Sequence, residues 1–219
     1  MIRQPQVSDQ HSQKCRAVVV LLVMILALPV VCFAQPANDT HPVWSPDGRK
    51  IAFISNGEGI KAGNAINFEI YLMNPDGTDL VRLTHNTVFE TGITWSPDGS
   101  RIAFKSYRDG NDEIYVMNAD GSAPKRLTHN PLSDWYPVWS PDGAQIAFSY
   151  GSWEQETWAV YVMKADGSAQ KLLTEPSDSG NVTWSPDGSK IAFGNERQGG
   201  GEIYIMDLDS AKLKRITHQ

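Results

Sequence analysis

The chain has 219 residues, of which 41% are hydrophobic and 20% charged, and its formal net charge is -6. This hydrophobic content is ordinary for a soluble globular protein and too high for an intrinsically disordered one. An acidic chain of this kind lacks the basic face that nucleic-acid binding requires, so we expect no nucleic-acid partner.

Residues 1–34 have the features of a secretory signal peptide. A basic segment with Lys14 and Arg16 precedes an apolar run of 18 residues that ends at Ala34, after which we expect cleavage. An uncleaved membrane anchor is the alternative, because 18 apolar residues barely span a bilayer. With cleavage, the protein is periplasmic or secreted and not inserted in the membrane. Both cysteines, Cys15 and Cys32, lie in this leader, so the exported chain would hold no disulfide.

After a short polar lead at residues 35–40, one pattern occurs four times. The pentapeptide Trp-Ser-Pro-Asp-Gly begins at Trp44, Trp95, Trp139 and Trp184, with spacings of 51, 44 and 45 residues. Each copy continues with Ile-Ala-Phe, a variable gap, a run like Ile-Tyr-Val-Met, a second turn and an ending like Arg-Leu-Thr-His. Two turns and four short apolar runs per repeat predict a propeller blade of four antiparallel strands. The predicted blades span about 41–86, 92–130, 136–175 and 181–219.

Turn chemistry sets the strand ends within each repeat. In the segment 45–48, Pro fixes φ, Asp bonds back to the backbone and Gly takes the positive φ. In the next strand Ile51 and Phe53 share one face, and the small Ala52 on the other face suits a strand squeezed between neighbouring blades. We predict first strands that begin at His41, Ile93, Pro137 and Val182, and fourth strands over 80–84, 124–128, 170–174 and 212–217.

The residues that recur in every repeat are interpreted as structural. The four Trp residues predict a ladder in the core between blades, and the four Asp residues are expected to bond their own turns rather than calcium. This repeat motif comprises Trp44, Asp47, Gly48, Trp95, Asp98, Gly99, Trp139, Asp142, Gly143, Trp184, Asp187 and Gly188. No cofactor and no metal site are predicted.

What differs between repeats points to function. No His-Glu-x-x-His, Gly-x-Ser-x-Gly or P-loop motif occurs, so the sequence predicts no catalytic residue and a non-enzymatic protein. Because strands alternate in direction, the Asp-Gly turns should lie on one face, the turn face. The opposite loop face comprises the variable loops 55–68, 106–112 and 150–158 and the linkers 89–90 and 134–136. Aromatic and Arg side chains on such loops anchor interfaces, which selects Tyr107, Arg108, Trp135, Tyr136, Trp153 and Arg197 as predicted binding residues.

The pattern Pro-x-Trp-Ser-Pro-Asp-Gly-x-x-Ile-Ala-Phe, followed by Ile-Tyr-x-Met-x-x-Asp-Gly, resembles the WD40-like (PD40) repeat of the TolB family of β-propellers. The resemblance covers about His41 to Thr217 and implies an all-β fold with a protein or peptide partner in the cell envelope. Members usually close rings of six or more blades. Four blades either close or form an incomplete arc, and we expect the arc, whose apolar edges could pair with a second copy in a homodimer.

Three functions follow as hypotheses. The first is an exported, non-enzymatic binding module that docks a protein or peptide on its loop face. The second is the propeller portion of an exported prolyl-oligopeptidase-like hydrolase without its catalytic domain, because related propellers precede such domains. The third is carbohydrate binding by exposed Trp and Tyr rings beside acidic residues such as Asp134 and Glu154.

Overall fold

The computed structural model describes residues 37–57, 67–152, 154–155, 157–174, 179–195 and 201–217. All of them belong to one compact unit, residues 34–219. The predicted leader and the predicted binding residues Trp153 and Arg197 lie outside the described residues. Within the described part of the chain, no helix has the length and hydropathy needed to cross a membrane.

The structure is all-β and contains four antiparallel sheets of four strands, as predicted. Each sheet consists of four strands consecutive in sequence, so every blade supplies its own first and fourth strand. Blade 1 comprises β1 (Asp39–Trp44), β2 (Ile51–Ser55), β3 (Glu69–Met73) and β4 (Val81–Arg82). Blade 2 comprises β5 (Glu90–Trp95), β6 (Arg101–Ser106), β7 (Glu113–Asn118) and β8 (Lys125–Arg126). Blade 3 comprises β9 (Ser133–Trp139), β10 (Gln145–Ser152), β11 (Thr157–Lys164) and β12 (Lys171–Leu172), and blade 4 comprises β13 (Ser179–Trp184), β14 (Lys190–Asn195), β15 (Glu202–Asp207) and β16 (Leu213–Arg215).

Consecutive blades pack on one another, and the array is open. The first strands β1, β5, β9 and β13 contact one another in sequence order and therefore form the inner edge. No described strand of blade 1 contacts a described strand of blade 4. The four blades thus form the incomplete arc that the repeat count led us to expect.

Each interface packs an aromatic face of one blade on an aliphatic face of the preceding blade. Between blades 1 and 2, the aliphatic face is Ala52, Ile54, Ile70 and Leu83, and the aromatic face is Trp95, Phe104, Tyr115 and Met117. The equivalent residues form the clusters between blades 2 and 3 and between blades 3 and 4. Ala52 and its equivalents Ala103 and Ala147 are fully buried, which confirms the predicted place of the small residue between blades.

The first strands begin earlier than predicted because each contains a β-bulge. The prediction that they begin at His41, Ile93, Pro137 and Val182 was wrong by two to four residues. A register shift interrupts each pairing, and the bulged residue has a positive φ at His41, Gly92, Tyr136 and Asn181. A bulge breaks the alternation of side chains that marks a strand in sequence. Residues 134–136, predicted as a linker, therefore lie in β9.

The fourth strands are shorter than predicted because a Thr side chain takes the place of one backbone acceptor at the end of each ladder. In blade 1 the Leu83 amide still donates to the Ile70 carbonyl (2.8 Å), but the Ile70 amide donates to the Thr84 hydroxyl (2.9 Å) instead of returning the bond to a carbonyl, so the strand ends at Arg82. The Thr residues at the same position of the other blades, Thr128, Thr174 and Thr217, accept the equivalent bonds at 2.8–3.0 Å. Hydroxyl side chains compete with ladders in this way.

The turn prediction is confirmed. Gly48 has a φ of 68°, and the carboxylate of Asp47 accepts hydrogen bonds from the Ser45 hydroxyl (2.6 Å) and the Arg49 amide (3.0 Å). The other three turns repeat these bonds. The Ser hydroxyl and the turn amide lower the pKa of Asp98 and of Asp187 to about 2.

The predicted Trp ladder holds for three of its four members. Trp95 and Trp139 are buried between blades, and the half-buried Trp184 donates from its indole nitrogen to the Val138 carbonyl (3.1 Å). Trp44 is 57% exposed, so its prediction as a core residue was wrong. It occupies the equivalent position in the first blade, where no preceding blade covers it.

Candidate binding surface on the loop face

The loop face carries the exposed aromatic side chains of the arc. Apart from Trp44, the exposed aromatic residues in the described part of the chain are Phe89, Tyr107 and Tyr136. Phe89 precedes β5, Tyr107 follows β6, and Tyr136 is the bulged residue of β9. They come from a linker, a loop between two strands and a strand bulge, and the other repeats carry no aromatic residue of the same type at these three positions. Sequence reasoning selected Tyr107 and Tyr136 and did not select Phe89.

A lysine holds Trp135 at the centre of this surface. The ammonium nitrogen of Lys105 lies 4.8 Å from the Trp135 ring centroid and 6.0 Å from that of Phe89. The same nitrogen pairs with the Asp112 carboxylate at 2.9 Å, and both side chains of the pair are nearly buried. Trp135 also makes edge contacts with Trp158 (5.2 Å) and Tyr136 (6.1 Å). We name the group formed by Phe89, Lys105, Asp112, Trp135, Tyr136 and Trp158 the Trp135 cluster. A cation held against aromatic rings in this way fixes their orientation.

Arg108, another predicted binding residue, is engaged in holding its own loop. Its guanidinium pairs with the buried carboxylate of Glu90 and donates to the Ser106 hydroxyl (2.9 Å). The same group lies 4.5 Å from the Tyr115 ring centroid. Arg108 therefore fixes the backbone that presents Tyr107 to solvent.

Sequence reasoning missed a buried ion pair beneath this face. The first residue of the third strand is a buried Glu in three blades, and it binds an Arg of the fourth strand. In blades 2 and 4 it also accepts a bond from the Thr two residues after that Arg. In blade 2, Glu113 accepts from Arg126 (2.6 Å) and from the Thr128 hydroxyl (2.5 Å). The equivalent Glu–Arg pairs are Glu69 with Arg82 and Glu202 with Arg215. Blade 3 has Ala159 and Leu172 at the two positions, so both charges are lost together. The joint loss of Glu and Arg in one repeat was the sequence signal that could have predicted the ion pair.

A second row of buried carboxyl groups joins consecutive blades. Glu90 and Asp134, at equivalent positions of two first strands, are fully buried. Asn86 donates to Glu90 (2.6 Å), and Asn130 donates to both oxygens of Asp134 (2.8 and 3.0 Å). Burial raises the pKa of Glu90, and it raises the pKa of Asp134 to about 8 with a further contribution from the nearby carboxyl of Glu113. These groups tie the end of one blade to the start of the next beneath the loop face.

Four-stranded antiparallel blades that share an inner edge of first strands define a β-propeller-type domain. The loop face of this domain presents fixed aromatic rings, and its opposite face presents Asp-Gly turns. The family model described as the TolB beta propeller domain (PD40) matches residues 42–179 and 133–219. The chain belongs to this family.

Relatives share single stretches of the chain. An uncharacterized peptidase, YuxL of Bacillus subtilis, is 40% identical over 65 residues, which are 30% of this chain and 9% of that protein. The Tol-Pal system protein TolB of Alcanivorax borkumensis is 36% identical over 69 residues, 32% of this chain and 14% of that protein. The matches thus span a small fraction of these relatives.

Solved structures support the fold over most of the chain. A putative TolB from Agrobacterium tumefaciens superposes with a TM-score of 0.69 at 25% identity, covering 84% of this chain and 64% of that one. TolB from Acinetobacter baumannii gives 0.67 at 25% identity, covering 84% and 44%. A puromycin hydrolase, at 18% identity and a TM-score of 0.65, shows the same fold.

Proposed function

We propose that the chain is an exported, non-enzymatic binding module that docks a protein or peptide partner in the cell envelope through its loop face. The observation that carries this proposal is the group of exposed rings, Phe89, Tyr107 and Tyr136, around the Trp135 cluster. Aromatic side chains with few rotatable bonds supply contact area at a low entropic cost. The predicted signal peptide and the likeness to Tol-Pal system proteins support a periplasmic location.

The electrostatics of the surface suit a protein partner better than an anion. Lys105, the cation nearest the rings, is nearly buried and neutralised by Asp112, and Arg108 is neutralised by Glu90. The exposed rings therefore lie over charges that are already paired. Such a surface favours apolar side chains of a partner, with rim hydrogen bonds from the tyrosine hydroxyls.

The experiment is photo-crosslinking in the producing cells. A photo-reactive amino acid placed at position 107 should give a discrete adduct, whereas the same amino acid at Leu172, an exposed apolar residue of blade 3, should not. Tyr136→Asn should abolish the adduct from position 107. Asn is the residue that blade 4 carries at this bulge with a positive φ, so the change preserves the backbone. Equal adducts at both positions, or an adduct that survives Tyr136→Asn, would refute the proposal.

A hydrolase propeller is the second candidate function, because the similarity to YuxL, named a peptidase, favours it. We expect the purified protein to hydrolyse no member of a panel of chromogenic peptide amides. Turnover that rises in proportion to protein concentration and persists through repurification would overturn the non-enzymatic proposal.

Carbohydrate binding would need a flat ring open to solvent. The Trp135 ring has Lys105 over it and meets Trp158 at its edge, so it offers no open platform. Trp153, beside Glu154, lies outside the described residues.

A second copy of the chain is the other partner that we propose, separate from the loop-face partner. The described strands of the fourth blade do not contact those of the first, and both outer blades retain apolar faces.

A further inference from the structure

The interfaces between blades repeat most of their contacts. The indole nitrogen of Trp95 donates to the carbonyl of Val43, the residue before the preceding blade's Trp (3.3 Å), and Trp184 donates to Val138 in the same way (3.1 Å). Each first-turn Gly faces the Pro of the preceding blade's first turn. A Cβ added at Gly99 would lie 3.7 Å from Pro46, and the equivalent distances at the next two interfaces are 3.5 and 3.7 Å.

The second turn makes a still closer contact. A Cβ at Gly121 of blade 2 would lie 2.8 Å from the carbonyl oxygen of Leu83 in blade 1. A Cβ at Gly167 of blade 3 would lie 2.9 Å from the equivalent Leu127 oxygen. A blade therefore joins its predecessor through an aromatic face and a first-turn Gly, with an indole donor in blades 2 and 4 and a second-turn Gly in blades 2 and 3. The predecessor supplies carbonyl oxygens, a Pro and an aliphatic face.

Blade 1 carries the first half of this interface without its complement. Trp44 is 57% exposed, whereas its equivalent Trp95 is 8% exposed. Gly48 and Gly77, the two turn glycines, would meet no atom within 4 Å if a Cβ were added to either. Trp44, Gly48 and Gly77 therefore lack the contacts with a preceding blade that their equivalents make elsewhere in the arc.

Blade 4 carries the other half. Ile216 is 42% exposed, whereas its equivalent Leu83 is 7% exposed. Ile203 is 40% exposed although the three residues at the same position, Ile70, Ile114 and Val160, are fully buried. Ala192, whose three equivalents are fully buried, is half-buried. This edge is the aliphatic face that each preceding blade presents to its successor.

We propose that two copies of the chain associate head to tail, with the aromatic edge of blade 1 of one copy docked on the aliphatic edge of blade 4 of the other. The expected contacts are those of the internal interfaces: the Trp44 indole to the Thr183 carbonyl, Gly48 on Pro186, and Gly77 on the Ile216 carbonyl. This inference rests on the second partner proposed above and does not depend on the loop-face partner.

A second copy is the occupant that we infer because it carries both halves of the interface. Each edge continues an interface that the chain already makes three times, so the complementary shape, donor and acceptor are all present in one sequence. The contact is heterologous, and a two-fold arrangement would cover both edges of both copies. Any other occupant would have to reproduce the aromatic face or the aliphatic face of a blade.

The test is the mass in solution of the protein produced from the full coding sequence, measured by light scattering over a range of concentrations. We expect assemblies of two or more chains. Trp44→Ser and Ile216→Asp, each at an exposed residue of one edge, should each raise the dissociation constant at least about 30-fold. Tyr107→Asn is the matched control, because it removes an equally exposed ring from the loop face and should leave the mass unchanged.

A mixing experiment separates the docking geometry from a general loss of association. The Trp44→Ser chain keeps an intact aliphatic edge and the Ile216→Asp chain keeps an intact aromatic edge, so an equimolar mixture should recover a dimer with one native interface. A wild-type protein that stays at the mass of one chain up to about 100 μM would overturn the inference, as would a mixture that stays monomeric. Dimers that persist when the crosslink at position 107 fails would refute only the loop-face partner.

Discussion

The close approach between blades can be tested by adding one methyl group. Gly121 lies in the second turn of blade 2 with a φ of 85°, and a Cβ there would lie 2.8 Å from the Leu83 carbonyl oxygen and 3.2 Å from the Leu83 Cα. Both of these Leu83 atoms belong to the backbone, so they cannot move aside by a side-chain rotation. Gly121→Ala should therefore displace blade 2 from blade 1.

Gly77→Ala separates the two costs of this change. Gly77 occupies the same turn of blade 1 with a φ of 83°, but a Cβ there would meet nothing within 4 Å. Both variants carry the penalty of an L-residue in a left-handed conformation, about 1 kcal/mol. Only Gly121→Ala adds overpacking against a fixed neighbour, typically 1–3 kcal/mol. We expect a loss of about 1 kcal/mol for Gly77→Ala and about 3 kcal/mol for Gly121→Ala.

Urea unfolding followed by tryptophan fluorescence measures the difference, because Trp95 lies in the interface that Gly121→Ala disturbs. It should be done at low protein concentration, where the edge that carries Gly77 is free. Gly167→Ala, with a Cβ 2.9 Å from the Leu127 oxygen, should match Gly121→Ala. Losses for Gly77→Ala and Gly121→Ala that agree within about 0.5 kcal/mol would refute the reasoning, since the blade contact would then contribute nothing.

Two further predictions concern the buried carboxyl groups. Burial raises the pKa of Asp134 to about 8, so between pH 4 and pH 8 the folded protein holds a proton that the unfolded chain has lost, and the free energy of unfolding falls as pH rises. Asp134→Asn should remove this pH dependence, which amounts to a fall of up to about 5 kcal/mol in the free energy of unfolding between pH 4 and pH 8. Urea unfolding at pH 5, 6.5 and 8 measures it, and the same pH dependence in the variant as in the wild type would contradict the prediction. Arg126→Leu leaves the buried carboxylate of Glu113 without its cation and should lower the free energy of unfolding by about 3 kcal/mol. The double variant Arg126→Leu/Glu113→Ala copies Leu172 and Ala159 of blade 3 and should recover most of that loss. If the two single losses simply add in a double-mutant cycle, Glu113 and Arg126 are not coupled.

Much of the fold could be predicted because the repeats state it four times. Pro, Asp and Gly in the turn around Asp47 determine the backbone conformation of their own few residues, so the turn can be predicted from the sequence. The alternation of Ile51, Ala52 and Phe53 likewise assigns two faces of one strand. The bulge at Tyr136 was missed because a large aromatic residue with a positive φ carries no local signal, and the neighbouring strand supports that conformation.

The candidate surface was predicted only in outline. Tyr107 and Tyr136 are exposed as the variable-loop argument requires. Arg108, however, is engaged with Glu90, a carboxyl that the sequence analysis placed in the linker 89–90 and whose burial it did not predict. A charged residue in a sequence is assigned to the surface unless its partner is known. Glu113 and Arg126 are 13 residues apart, and only their joint replacement in blade 3 links them.

The edges of the arc show what a repeat sequence leaves open. The same pentapeptide buries Trp95 and exposes Trp44, so the burial of this side chain is decided by whether a blade precedes it. Each blade has an aromatic face and an aliphatic face. Four blades in an open array form three interfaces, which leaves the aromatic face of blade 1 and the aliphatic face of blade 4 exposed. Fully burying one large apolar side chain contributes about 1.5–3 kcal/mol. Trp44 and Ile216 are already about half-buried, so covering both would contribute about 1.5–3 kcal/mol in total. Micromolar association needs about 8 kcal/mol, so the rest of the edge would have to supply the larger share, and the sequence that stabilises the interior of the arc also favours its pairing at the ends.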